Sequence, residues 1–145
     1  MTDDTIPVPA PLRGLTTVVF PVQDFERAKA WYADVLGVEP YMDTPAYVEF
    51  RIGDYQHEFG LLNVSMAGDF ANAPGGSAGG AIVYWHVDNL EGTLDMLAAK
   101  GAKRYQEPRD FGEGFVGASV IDPFGHILAV MNNPHYLKVH KARAA

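Results

Sequence analysis

Residues 15–22 are a run of apolar and β-branched side chains, Leu-Thr-Thr-Val-Val-Phe-Pro-Val, and are predicted as a strand. The period then changes. Phe25, Ala28, Trp31 or Tyr32, and Leu36 recur at helical spacing, with Asp24 as N-cap before them and Gly37 after them, so a helix is expected over 25–36. Strands follow at about 46–52 and 56–63, divided by the turn dipeptide Gly53-Asp54. The same order returns 65 residues later. Ile82-Val83-Tyr84-Trp85-His86-Val87 reads as a strand over about 81–87, Asp88 or Asn89 caps a helix over 90–99, and Gly101 follows it. Residues 108–114 (Pro-Arg-Asp-Phe-Gly-Glu-Gly) read as a loop, and strands are expected over 115–121 and 126–132 around the turn Asp122-Pro123-Phe124-Gly125. Self-similarity at a fixed offset marks a duplicated unit, and two copies are too few for a solenoid. The prediction is an α+β fold of two βαβββ repeats, 13–65 and 80–132. A glycine-rich linker over 66–79 joins them, a proline-bearing lead-in over 1–12 precedes them, and a polar, basic tail over 133–145 follows.

Alternation along each strand separates two faces. Ile82, Tyr84 and His86 share one face, and Val83, Trp85 and Val87 the other. Glu58 and Gly60 oppose His57, Phe59 and Leu61; Ile127, Ala129 and Met131 oppose Leu128 and Val130; Thr17 and Val19 oppose Val18, Phe20 and Val22. The wholly apolar sets suit packing against helices. The mixed sets suit a ligand-facing concavity, so the strands are expected to form a cup-shaped mixed or antiparallel sheet with helices on its outer face.

Charge and composition narrow the partners. A net charge of −7 without a Lys/Arg cluster opposes binding to phosphate backbones, so no nucleic acid is expected. No apolar run approaches the ~20 residues that span a bilayer, so no membrane is expected. The start, Met1-Thr2-Asp3-Asp4, is acidic where a signal peptide would be basic, and a cytoplasmic location is expected. With no cysteine, disulfides, thiolate metal sites and a Cys nucleophile are excluded together. Gly112-Glu113-Gly114-Phe115-Val116-Gly117 spells G-x-G-x-x-G, but that motif cradles phosphate only between a strand and a helix, and here it enters a strand.

The element order, with Val22-Gln23-Asp24-Phe25-Glu26-Arg27-Ala28-Lys29-Ala30-Trp31-Tyr32-Ala33-Asp34-Val35-Leu36-Gly37 early and Asp122-Pro123-Phe124-Gly125-His126 late, resembles the vicinal oxygen chelate superfamily over about residues 13–132. That superfamily includes glyoxalase I, bleomycin-resistance proteins and extradiol dioxygenases. The resemblance implies four metal-ligand positions, one per strand in the cup. The first two fall on Thr17 and Ile82, five residues before Val22 and Val87. The last-strand position falls on Ala129, and the one closing the first half on Glu58 or Gly60. A transition metal needs about three protein ligands, so no divalent metal and no other cofactor is expected.

Two classes of function follow. In the first, the protein binds an amphipathic or aromatic compound in the cup without a metal, with Thr17, Val19, Phe50, Tyr84, Phe115, Ile127 and Met131 as candidate ligand-binding residues. In the second it is an enzyme, a lyase or isomerase in which Glu58 is the general base and His86 its partner, or a metal-dependent glyoxalase or dioxygenase if a metal is found. Glu58 can equally pair with Arg51, and His86 can be purely structural. The resemblance also implies a homodimer, with cups that combine Glu58 and His86 from complementary halves.

Overall fold

Two four-stranded sheets, each wound in the same order, carry the chain. The computed structural model describes residues 15, 17–66 and 82–144; the expected lead-in and nearly all of the expected glycine linker lie outside the described residues. The first half runs β1 (Thr17–Val22), α1 (Phe25–Leu36), β2 (Met42–Asp43), β3 (Tyr47–Ile52) and β4 (His57–Asn63). The second runs β5 (Tyr84–His86), α2 (Leu90–Ala99), β6 (Lys103–Gly112), β7 (Phe115–Ile121) and β8 (Ile127–Asn132), and α3 (Pro134–Ala144) closes the chain. The sheet orders are β1-β4-β3-β2 and β5-β8-β7-β6. The first strand of each half pairs parallel with the last, and the other pairs are antiparallel. This is the α+β double βαβββ arrangement expected from the repeat.

Local differences from expectation have physical causes. Residues 108–112, expected in a loop, belong to β6. That strand is an edge, exposed along almost its whole length, so no apolar alternation announces it, and an edge tolerates Pro108. Asp24 makes no side-chain cap, because its backbone (φ −92°, ψ 73°) is not the extended form that aims a carboxylate at the first turn. Asn89 does cap α2, its Oδ1 accepting from Gly92 N at 3.0 Å. Gly37 ends α1 at φ 70°, where a side chain would be strained.

The apolar faces pack as the alternation requires. Phe20, Val22, Phe25, Ala28, Tyr32, Val48, Phe50, Phe59 and Leu61 form one core. Leu94, Leu97, Ala118, Val120, Leu128 and Val130 form most of a second, and Trp31 and Trp85 pack against both. Each fully buried aliphatic or aromatic side chain contributes roughly 1.5–3 kcal/mol. The seam between halves lies on this helix side. Trp31 Nε1 donates to Lys100 O at 2.8 Å, and Phe59 meets Trp85 edge-on at 5.5 Å. His126 Nε2 donates to Pro21 O at 2.6 Å while its ring stacks on Phe20. Tyr32, fully buried, donates its hydroxyl to Asp122, whose other oxygen accepts from Phe124 N and His126 N at 2.8 Å each. Burial first, then the Asp122 charge, pushes the Tyr32 phenol well above its ordinary value. With the helix faces turned to the seam, the opposite face of each sheet is left to form a cup.

Candidate functional site

Strand register arranges the cup face of the first sheet in rows. Thr17, Glu58 and Arg51 lie side by side, as do Val19, Gly60 and Glu49, and Pro21, Leu62 and Tyr47. Thr17 Oγ1 donates to Glu58 Oε1 at 2.5 Å, and Arg51 Nη2 lies 3.6 Å from Glu58 Oε2. Arg51 also donates from Nε to Glu49 Oε2 at 3.2 Å, and its guanidinium sits 3.9 Å from the centroid of the Tyr41 ring. Tyr47 Oη donates to Glu49 Oε1 at 3.0 Å. Glu49 is only 7% exposed, so both its oxygens need these donors. Burial and then the Glu49 hydrogen bond push the Tyr47 phenol up to about 12, and the same carboxylate holds Arg51 above its ordinary value. Gly60 makes room for Tyr47: a Cβ there would stand 2.2 Å from the tyrosine oxygen.

The second sheet presents a different surface. Tyr84 (39% exposed) and Phe111 (52% exposed) converge on Gly117, where a Cβ would lie 3.1 Å from each ring and 3.6 Å from Met131. Arg109 faces Gly117 across β6 and β7, and its guanidinium lies 5.4 Å from the Phe111 centroid. At the other end of β5, Asn133 N donates to His86 Nδ1 at 3.1 Å, which leaves Nε2–H to donate to Asp88 Oδ1 at 3.0 Å. The His86 ring stacks on Tyr136 of α3 at 4.8 Å. Tyr136 in turn donates to Asp54 in the turn between β3 and β4, and its phenol is pushed up to about 12, by burial first and this bond next.

Against the expected site, the structure gathers some residues and separates others. Thr17, Val19 and Glu58 share the first cup face, with Val19 exposed beside Gly60. Tyr84 and Met131 meet over Gly117 on the second, and Phe115 and Ile127 fall on that face by register, Ile127 almost wholly buried. Phe50 does not join them. It pairs with Phe59 in the helix-side core and is fully buried, because its place on β3 is the opposite parity to Glu49 and Arg51. Glu58 and His86 stand on different sheets. Among the described residues no hydrogen bond links them, and both His86 nitrogens are engaged elsewhere. Tyr47 and Glu49 were absent from the expected site. Their signal was the alternation Tyr47, Glu49, Arg51, a polar set opposing Val48, Phe50 and Ile52.

Pairing also settles the open fourth metal-ligand position. Val19 lies opposite Gly60, and Tyr84 opposite Ala129. Since Val19 and Tyr84 follow the equivalent Thr17 and Ile82 by two residues, Gly60 is the counterpart of Ala129. The four positions therefore carry a hydroxyl, an isoleucine, a glycine whose side-chain space Tyr47 fills, and an alanine. Among the described residues no three His, Asp or Glu stand together to hold an ion. The family's divalent metal does not fit this donor set.

A cavity of about 240 Å³ opens on the helix side instead, walled by Tyr32, Leu36, Trp85, Met96, Leu97 and Val130 among others. It belongs to the seam, and His86 and Thr93 also line it. Trp85 Nε1 is buried there without a hydrogen-bond partner, its ring set edge-on to Phe59.

Residues 14–130 match the Glyoxalase/Bleomycin resistance protein/Dioxygenase superfamily, and the chain belongs to that family. Its fold is similar to that of a glyoxalase-related enzyme from Fulvimarina pelagi (TM-score 0.66, 19% identity, 85% of this chain and 90% of that one). It is similar also to a superfamily member from Sphaerobacter thermophilus (0.66, 21%, 83% and 97%) and to a lactoylglutathione lyase from Agrobacterium tumefaciens (0.64, 21%, 86% and 96%). No curated protein matches the chain in sequence. Among the described residues no helix is long and apolar enough to cross a membrane.

Proposed function

We propose that the protein is a metal-independent, small-molecule-binding member of this family that holds an amphipathic or aromatic compound in its cup. The observation that carries the reading is the replacement of the four ligand positions by Thr17, Ile82, Gly60 and Ala129, with the Tyr47 ring lying over Gly60. The exposed Val19, Ile82, Tyr84 and Phe111 supply the apolar wall that such a ligand needs. A complete cup takes one face from each sheet. Because the seam within one chain uses the helix faces, the reading includes a twofold homodimer in which complementary halves meet. Light scattering should give about twice the 15.8 kDa of one chain at micromolar concentration, and a monomer would remove the dimer.

The direct test is to co-purify the protein with cell metabolites and identify what is retained by mass spectrometry. Saturable binding that survives EDTA is expected. Turnover abolished by EDTA, or stoichiometric tightly held metal, would overturn the reading.

A second reading, lyase- or isomerase-like proton transfer, is favoured by one observation. Glu58 stands on the cup face, partly exposed, with Thr17 as donor and Arg51 at its other oxygen. If Glu58 is a base, Glu58→Gln should cost ~10²–10⁴ in rate on a substrate that the protein converts. Unchanged turnover in that variant eliminates Glu58 as the base.

A further inference from the structure

We infer that the second sheet's cup face recognises a flat aromatic anion, with the ring seated on Tyr84 and Phe111 and the carboxylate or phenolate held by Arg109. This deepens the small-molecule reading above and rests on it.

Three features of one surface converge. Gly117 lets the Tyr84 and Phe111 rings come down against the sheet, since any Cβ would press on both at 3.1 Å. The rings remain 39% and 52% exposed, so they form an open floor with π faces available to a planar partner. Arg109 stands opposite Gly117, beside Phe111, on the same face of the sheet. Arg51 is matched to Glu49 and Glu58, Arg104 to Glu91, Asp95 and Glu107, Lys100 to Asp34, and Lys29 to Glu26 and Asp43; Arg27 and Arg143 stack on Phe124 and Tyr55, but they stand on α1 and α3 rather than on this sheet face. Among the described residues Arg109 has no carboxylate within ion-pair distance. In a chain of net charge −7 an anion is repelled almost everywhere, so an unmatched guanidinium beside an aromatic floor is a local reversal of sign. The planar fork of arginine pairs with carboxylate through two parallel hydrogen bonds, which an ammonium cannot do. The first sheet offers the opposite character, two carboxylates around one arginine, so an anionic ligand is oriented with its charge toward β6.

The test is calorimetric titration of the full chain at low salt with three probes: 2-naphthoate, 2-naphthamide and cyclohexanecarboxylate. 2-Naphthoate should bind about tenfold or more tightly than either of the others, the equivalent of one charge-assisted contact. Arg109→Gln should erase the preference for acid over amide, weakening the acid about tenfold or more and the amide by less. Tyr84→Ala should weaken both naphthyl probes; if that variant does not fold by circular dichroism, Phe111→Leu serves. An acid no tighter than its amide in the natural chain, or a preference that survives Arg109→Gln, overturns the anion assignment and leaves the cup-binding reading standing. Failure of 2-naphthoate to bind also overturns it. The cup-binding reading itself falls if co-purification in addition returns no retained compound.

Discussion

The two cup faces descend from the same repeat and have diverged in opposite directions. On the first sheet a glycine is covered by one tyrosine, and the polar groups are satisfied within the sheet: Thr17 to Glu58, Glu58 to Arg51, Arg51 to Glu49, Glu49 to Tyr47. On the second, a glycine is covered by two rings and the nearby cation is left unmatched. A closed network is rigid and holds its groups in place. An exposed aromatic floor with an unpaired charge has its partners still to find. The two sheets thus use a glycine differently: on one its side-chain space is filled by a ring tied into the polar network, on the other it seats two exposed rings.

The contrast can be broken most severely at Gly60. Gly60→Ala drives a methyl to 2.2 Å from the Tyr47 oxygen, so the ring must leave and the hydrogen bond to the buried Glu49 is lost. Overpacking with a lost bond should cost about 2–4 kcal/mol in urea unfolding. Gly117→Ala asks the Tyr84 and Phe111 rings to yield by a few tenths of an ångström, and both are exposed enough to do so, so its cost should stay below about 1 kcal/mol. Equal costs at the two glycines would mean that the faces are not built differently.

Glu49→Gln lies between these two. The single amide oxygen can still accept from Tyr47, but its NH2 then faces the Arg51 Nε–H, donor against donor, so the bond to Arg51 is lost while Arg51 keeps Glu58 at 3.6 Å and the Tyr41 ring. A loss of about 1–2 kcal/mol is expected. A loss as large as that of Gly60→Ala would place the strength of the first face in its charges rather than in the seating of Tyr47.

What the sequence discloses follows from how strongly burial imprints a period. β1, β4, β5 and β8 turn one face to the core, so alternation assigns Val19, Glu58, Tyr84 and Met131 to the cup and Phe20, Phe59, Trp85 and Val130 to the core. Phe50 shows the limit of residue type as a guide. Its ring suggests a pocket wall, but its parity on β3 sends it to the core, and parity governs. Arg109 and Phe111 sit on an edge strand exposed along nearly all its length, with register shifts on either side of Arg109, so no periodic signal marks the face they share. The choice between Glu58 and Gly60 needed the pairing of β1 with β4, a long-range fact that no local pattern carries.

The smallest effect expected is on the alkaline limb of stability, and it belongs to the first face. Tyr47 has a folded pKa of about 12 against about 10 in an unfolded chain. Below pH 10 the phenol is protonated in both states, and its contribution is fully present. Between 10 and 12 the unfolded chain releases the proton while the folded one keeps it. The unfolded state then binds fewer protons, so stability falls as pH rises through this window. Tyr47→Phe removes this group but leaves Tyr136, whose pKa is also about 12, and the buried Tyr32, whose pKa is raised in the same sense. Urea midpoints at pH 8, 10 and 11 should therefore decline more steeply for the natural chain than for the variant. Parallel declines would mean that Tyr47 ionises freely in the folded protein, and that its seat over Gly60 beside Glu49 is open to water rather than closed.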